Sequence, residues 1–406
     1  MATEQRQITI NDIKRAAQTL APILERTPVI KSHLLSTETQ EVFLKMENLQ
    51  RTGSFKVRGA FNKIASLSEE EKKKGIIASS AGNHAQGVAL GGQHFGIPAV
   101  IVMPDGTPKA KVENTRSYGA EIVFGGPIYD DAYATARRLQ KEKGYTFIHP
   151  FDDDVVIAGQ GTVALEIMEQ LKEVDAIVVP IGGGGLVCGT AIAARHFNPK
   201  IRIIGVQASH AASMRDSLAH GSVIELDKAK TIADGIQVRR PGDRTFELCR
   251  ELGVEVVTVE EEEIQEAILF LLEKHHIISE GAGAVPVAAF MSKKIDPSIG
   301  KVCLLVSGGN IDAHVVAEII DRGLLLQKRR FRFTTMIDDK PNALGRLTSL
   351  IGELKINIMQ ITQTRQKYGL DLAFQVVDVL VETGGKEQTN HLVETLKEHG
   401  YSVEEL

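Results

Sequence analysis

The stretch Ile177-Val178-Val179-Pro180-Ile181-Gly182-Gly183-Gly184-Gly185-Leu186 decides how this chain is read. An apolar run of strand length ends on four glycines, and Leu186 to His196 continues as a helix. A strand that enters a helix through a loop without side chains offers backbone N–H groups to an anion, and the helix dipole favours the negative charge. A nucleotide-binding turn and a plain tight loop are the ordinary alternatives. No placement of G-x-G-x-x-G fits, because Val187 and Cys188 stand where a glycine is needed. The following strand ends at Gln207, not at an acidic ribose ligand, and no Walker A pattern occurs in the chain. The loop therefore reads as a cradle for a phosphate that is not part of a dinucleotide.

Outward from this loop, residues 42 to 325 alternate short apolar runs with longer helical patterns. The predicted strands are 42–46, 75–78, 99–103, 121–124, 176–179, 202–206 and 302–306. Several are apolar on both faces, as strands covered by helices must be, and the alternation implies parallel α/β sheets. A break near His149-Pro150-Phe151-Asp152-Asp153-Asp154 separates a smaller unit, about 42–150, from a larger one built from 151–325 and the N-terminal residues 1–41. The polar, periodic N-terminus reads as a helix packed on the larger unit, not as a signal peptide. Ala176 to Ala194 is uncharged and long, but Pro180 and the glycines break it, so no membrane span is expected.

The tail is different. Lys328-Arg329-Arg330 closes a linker over 326–330. Residues 331–406 then read as strand, helix (343–355, with Leu344, Leu347, Ile351 and Leu354 on one face), strand (357–366), a turn at Tyr368-Gly369, strand (371–382), helix (386–399) and a last strand at 401–403. The order βαββαβ describes a ferredoxin-like module.

The bulk numbers exclude several functions. The 406 residues carry a net charge of −5 with no basic stripe, which gives no nucleic-acid footprint. Cys188, Cys249 and Cys303 are far apart and without metal spacing, as expected for reduced thiols in a cytoplasmic protein.

Four segments carry chemistry. Lys56 lies in Thr52-Gly53-Ser54-Phe55-Lys56-Val57-Arg58-Gly59-Ala60, among small residues that can desolvate an amine and make it nucleophilic. A lone lysine is usually a solvated surface group, so only its company argues otherwise. The second segment is the glycine tetrad. The third, Ala78-Ser79-Ser80-Ala81-Gly82-Asn83-His84-Ala85-Gln86-Gly87, follows a strand and opens a helix. Its N–H groups can hold a carboxylate and Asn83 can donate to a phenolate, although for this segment taken alone an N-cap by Ser79 or Ser80 with a helix-packing Gly87 is the favoured reading. The fourth, Ser307-Gly308-Gly309-Asn310, sits at a carboxyl strand end, where open α/β sheets bind ligands. An amine nucleophile with a phosphate cradle suggests a phosphate-bearing aldehyde cofactor. His149 with Asp152, Asp153 and Asp154 reads as a solvated loop, not as a metal site. Glu261-Glu262-Glu263 reads as a helix N-terminus stabilised by the dipole.

Together these segments, in this order, resemble the fold-type II pyridoxal-phosphate enzymes, whose fold is tryptophan synthase β-like with two open α/β units. Within them, the threonine dehydratase (threonine ammonia-lyase) family is the specific match, over about residues 10–325. The tail looks like an ACT regulatory domain. The resemblance implies pyridoxal 5'-phosphate as cofactor and a role for each matching residue. Lys56 matches the lysine that carries the cofactor covalently and then abstracts the α-proton. Phe55 matches the residue beside the cofactor ring, and Asn83 the contact to its phenolic oxygen. Gly182, Gly183, Gly184, Gly185 and Leu186 match the phosphate loop, and Ser307 the residue facing the pyridine nitrogen. Ser80, Gly82, Asn83 and His84 lie where the family binds the substrate carboxylate.

The implied reaction is β-elimination, from L-threonine to 2-oxobutanoate and ammonia and from L-serine to pyruvate. Two departures matter. Ala81 stands where serine racemases of the family have a serine, so dehydration should dominate over racemisation. Gln207 and Ser213 stand where cation-binding relatives have carboxylates, so no divalent metal is expected, while a monovalent ion held by carbonyls stays open. An L-serine-preferring enzyme is the runner-up, and a non-catalytic amino-acid sensor is the reading from another class. In the tail, Asp339, Asn342, Leu344 and Gly345 mark the loop expected to bind an amino-acid effector between paired copies. A homodimer or homotetramer follows from that.

Overall fold

The computed structural model describes residues 7–365 and 373–405. It divides into two compact units, Met1–Ile311 and Asp312–Leu406. The first unit holds two sheets and the second holds one.

In chain order the strands of the first unit are β1 (Val29–Lys31), β2 (Glu41–Met46), β3 (Ile76–Ser79), β4 (Ala99–Met103), β5 (Glu121–Phe124) and β6 (Thr146–Phe147). They continue with β7 (Ala176–Pro180), β8 (Arg202–Ala208), β9 (Glu255–Val259) and β10 (Lys301–Val306). The small sheet is parallel, in the order β5-β4-β3-β6. The large sheet runs β1-β2-β10-β7-β8-β9, parallel except where β1 pairs antiparallel with β2.

All seven predicted strands form. Three more escape the sequence reading: β1 and β6, which are too short to show a period, and the edge strand β9. One expectation is corrected. The sequence places the strand at 42–46 in the smaller unit, yet β2 pairs residue for residue with β10, Glu41 with Lys301 through Met46 with Val306. The small sheet thus begins at β3. Backbone pairing, which the local sequence does not encode, decides the sheet.

The order of the large sheet positions the site. β10 lies between β2 and β7, so the carboxyl ends of three neighbouring strands open onto one edge. β2 leads into the Lys56 segment, β7 into the glycine tetrad and β10 into Ser307. The helix Ile10–Leu20 packs on the large unit as expected, Ile13 lying in one core with Ile157, Val163 and Val187.

In the second unit the strands are β11 (Arg330–Asp338), β12 (Asn357–Thr364), β13 (Phe374–Glu382) and β14 (Glu404–Glu405). They form an antiparallel sheet in the order β12-β13-β11-β14. With the helices Ala343–Glu353 and Lys386–Glu398 this is the expected βαββαβ arrangement. Along β11, Phe331, Phe333 and Ile337 are buried with period two, against Leu347, Ile351, Leu392 and Leu396. Three boundaries move. The helix Ala313–Leu326 belongs to this unit, not to the first, so no linker at 326–330 separates the two. The last strand is Glu404–Glu405 instead of 401–403, because its partners Phe333 and Thr334 lie opposite those residues. β13 begins at Phe374, and the turn expected at Tyr368-Gly369 lies outside the described residues.

Candidate active site

Lys56 is the first residue of the helix Lys56–Ala65. Its Nζ donates to the Pro150 carbonyl at 3.0 Å and lies 5.4 Å from the centroid of the Phe55 ring. Burial pulls its ammonium down to about 8, against the opposing pull of the Glu280 charge. That leaves a useful fraction of neutral amine near neutral pH, as a nucleophile and base requires.

Two residues along the same helix, Arg58 anchors it. The buried guanidinium makes a two-pronged contact with Glu47 (2.7 and 2.8 Å) and reaches Glu166 (2.7 Å) and Thr162 (3.1 Å). Glu166 also pairs with Lys45 at 2.6 Å. Burial works against the Arg58 charge, but Glu47 and Glu166 outweigh it and hold the group firmly protonated. The lysine is thus mounted on a rigid support.

The Lys56 segment is stitched to the turn after β10. Phe55 N–H donates to Ser307 O (3.1 Å), Gly309 N–H to Gly53 O (2.9 Å) and Asn310 Nδ2 to Thr52 O (2.6 Å). Ser307 is buried, and its hydroxyl donates to Ala282 O across a long 3.4 Å. It is left free to turn toward a ligand. Ser54 Oγ, Thr52 Oγ1 and Ser79 Oγ around this edge are buried without a hydrogen-bond partner, as expected of groups that await one.

The glycine tetrad runs from β7 into the helix Gly185–Phe197, whose N-terminus has no side-chain cap. Its first N–H groups are therefore available to an anion. Gly184 adopts φ +101°, which a residue with a Cβ rarely does. A Cβ on Gly183 would overlap the Phe151 ring. Thr245 Oγ1 ties the loop down by donating to Gly183 O at 2.6 Å. Leu186 is buried behind it in the core.

The third segment closes the site. The helix Asn83–Phe95 begins after Gly82, again without a side-chain cap, and open space faces Gly82. Ser80 Oγ accepts the Gly82 N–H at 3.2 Å. The side chain of His84 is not part of the rim. It is buried, its Nε2 lies 2.8 Å from the Ile148 carbonyl, and burial pulls its pKa down to about 3, with Lys56 adding to the fall. It stays neutral, so only the main-chain N–H of His84 remains for a carboxylate. Asn83 joins the turn after β10: Asn310 Nδ2 donates to Asn83 Oδ1 at 2.7 Å, and Asn83 Nδ2 donates to Glu280 Oε1 at 2.7 Å.

These contacts bring Lys56, Phe55, Asn83, the tetrad, Ser307, Ser80 and Gly82 to one edge of the first unit. The chain matches the model of the family described as pyridoxal-phosphate dependent enzyme over residues 20–308. The chain belongs to the pyridoxal-phosphate dependent enzyme family. It is 47% identical to an L-threonine ammonia-lyase of Thermotoga maritima over 397 residues, 98% of this chain and 99% of that one. Among solved structures, maize serine racemase is 37% identical with a TM-score of 0.74, covering 79% of this chain and 98% of its own. The processed form of threonine deaminase isoform 2 from Solanum lycopersicum is 36% identical with a TM-score of 0.71, covering 78% and 95%.

The residues present fit the cofactor of this pyridoxal-phosphate family. A half-buried amine with a lowered pKa can take an aldehyde, an uncapped glycine-lined helix start can take a phosphate, and the Thr52, Ser54 and Ser79 hydroxyls stand without a partner. The loop His149–Asp154 is bonded into this framework. His149 Nδ1 accepts the Asp152 N–H at 2.8 Å, Asp152 accepts from Thr245 N–H at 3.1 Å, and Asp153 caps the helix Asp154–Gln170. Gln207 is likewise committed, to Ala211 O and the Arg215 N–H.

Glu280, which bonds Asn83, carries no signal of a site in the sequence. Standing before the apolar helix Gly281–Met291, it looks like an ordinary acid at a helix start. The tail residues form a separate group. Asn342 sits at φ +66° before the helix Ala343–Glu353, Gly345 lies against Asn342 Oδ1, and Leu344 packs on the core. Asp339 contacts Arg365 at 3.3 Å and receives Gln375 Nε2.

Proposed function

We propose that this chain is a pyridoxal 5'-phosphate-dependent L-threonine ammonia-lyase that converts L-threonine to 2-oxobutanoate and ammonia, and L-serine to pyruvate. The single observation that carries the reading is the end-to-end match to an L-threonine ammonia-lyase.

The roles are those the resemblance implies, and the geometry supports them. Lys56 holds the cofactor and, once released by the incoming amino acid, takes the α-proton. The backbone N–H groups of Gly182 to Gly185 hold the phosphate at the helix N-terminus. With the cofactor bound, Asn83 would donate to its phenolic oxygen, Phe55 would flank the ring and Ser307 would face the pyridine nitrogen. The substrate carboxylate is held at Ser80, Gly82 and the helix start at Asn83 and His84. What the cofactor supplies when bound is an electron sink for the α-carbanion. Loss of the β-hydroxyl and hydrolysis of the enamine product then give keto acid and ammonia, with no net consumption of water. Ala81 offers no hydroxyl for reprotonation, which favours elimination over racemisation. Threonine and serine differ by one methyl, worth about 1–3 kcal/mol in a pocket, so side activity toward serine is expected.

The second unit is read as an ACT-type regulatory domain that binds an amino acid between paired copies of the chain, which makes the enzyme a homodimer or homotetramer. Its βαββαβ order and the loop at Asp339, Asn342 and Gly345 support this. A cytoplasmic enzyme fits the three free, buried cysteines. Among the described residues no helix is long and apolar enough to cross a membrane.

The deciding experiment is keto-acid release from L-threonine by the purified protein, with Lys56→Ala as control. Release that vanishes in the variant is the expected result. Release unchanged by the substitution would remove Lys56 from its assigned role.

A further inference from the structure

Asn83 has an amide whose orientation is fully specified by its neighbours. Asn310 Nδ2 can only donate, and it faces Asn83 Oδ1 at 2.7 Å. The second N–H of Asn310 goes to Thr52 O at 2.6 Å. On its other side Asn83 Nδ2 gives one N–H to Glu280 Oε1 at 2.7 Å. One N–H of Asn83 remains, the one donor of that side chain left for a ligand. Glu280 is itself built in. It is 4% exposed, a Cβ on Gly308 would collide with its Oε1, and one on Gly235 would lie 3.4 Å away.

We propose that Glu280 is a positioning residue that acts through Asn83: with Asn310 it aims the free Asn83 N–H at the cofactor's phenolic oxygen, and its proton state sets the charge felt at that edge. The proposal rests on the assignment of the cofactor to this site.

The proton state matters because the hydrogen bond survives in both forms while the charge does not. A neutral carboxyl can accept from Asn83 through its carbonyl oxygen. An ionised one accepts more strongly, polarises Asn83 and repels a phenolate held beyond it. The charged groups facing Glu280 come from three elements. Asp234 and Lys111 pair with each other at 2.7 Å, Asp234 on the loop before Ile236 and Lys111 on the helix Lys109–Arg116. Lys56 is the third. Burial pushes the Glu280 carboxyl up to about 7; Asp234 adds to the rise, while Asn83, Lys111 and the Asn310 main chain oppose it. The carboxyl therefore changes charge within the working range of an ordinary enzyme.

The test follows cofactor attachment and turnover across pH in the full-length protein. Pyridoxal 5'-phosphate affinity is read from the visible absorbance of the lysine-bound cofactor, and kcat is read with L-threonine. The wild-type protein should show a transition in both near pH 7, the affinity falling as Glu280 ionises. Glu280→Gln should lose that transition, and Glu280→Asp should keep one at a displaced pH. Asp234→Asn removes a charge that raises the Glu280 pKa and should move the transition to lower pH, whereas Lys111→Met should move it to higher pH. These two variants sit at an outlying pair and carry the test even if Glu280→Gln fails to fold. A wild type without the transition, a Glu280→Gln protein that keeps it, or an Asp234→Asn and Lys111→Met pair that leaves it unmoved would overturn the proposal. A protein that never develops lysine-bound absorbance would overturn the site assignment itself, and normal attachment with unmoved pH behaviour would overturn the role of Glu280 alone.

Discussion

Gly183 and Gly82 are both glycines at a helix start, yet they are glycines for different reasons. At Gly183 the Phe151 ring occupies the space of a Cβ, and that ring is held edge-on to His149 with centroids 4.8 Å apart. Gly183→Ala is therefore expected to cost about 1–3 kcal/mol through overpacking, measured by urea unfolding, together with weaker cofactor binding. At Gly82 nothing lies within 4 Å and φ is negative, −127°, so a Cβ would meet no neighbour. Gly82→Ala should unfold within about 0.5 kcal/mol of the wild type. It should instead raise KM for L-threonine with the cofactor absorbance unchanged, because the methyl enters the space of the substrate carboxylate. A KM equal to that of the wild type would move the carboxylate site elsewhere. At this scale the sequence was readable where residue type alone decides chemistry, as at Lys56 and the tetrad. It was not readable at His84, whose imidazole turns inward to Ile148, or at Glu280, whose partner Asn83 stands 197 residues away in the chain.

The helix Lys56–Ala65 shows how an element, not a residue, presents the proposed nucleophile. Its apolar positions Val57, Phe61 and Ile64 bury the helix, while Arg58 fastens its first turn to Glu47 and Glu166. A buried charge left without its partner is costly, so Arg58→Met should destabilise the protein by about 3–5 kcal/mol. In the double variant Arg58→Met/Glu47→Gln the orphaned carboxylate is gone, and part of that loss should return. A thermodynamic cycle by chemical denaturation measures the coupling, and strictly additive losses would show that the pair does not act as a unit. The periodic elements were legible because burial imposes a period of two or 3.6 on the residues themselves. β1 and β6, with three and two residues, carry no period to read.

At the scale of the whole molecule, the family match ends at residue 308 and the first compact unit at Ile311. A chain truncated after Ile311 is therefore expected to keep release of keto acid from L-threonine and to lose any response to added amino acids. Initial rates with and without candidate effectors, on both forms, check this. A response that persists in the truncated chain would place the effector site in the first unit. The cut falls before the helix Ala313–Leu326, which the periodic pattern alone had joined to the catalytic unit.

The sequence by itself determined the fold class and the βαββαβ order of the tail, and it proposed a nucleophile and a phosphate cradle. Each of these is written in local signals: periodicity, glycine runs and a lysine among small residues. Only the tertiary structure decided that β10 inserts between β2 and β7, so that Ser307, Lys56 and the tetrad share one edge. It also decided that Glu280 and Asn310 close on Asn83, the latter from 227 residues away. Strand order and long-range side-chain contacts are properties of how whole elements pack, and no stretch of neighbouring residues contains them.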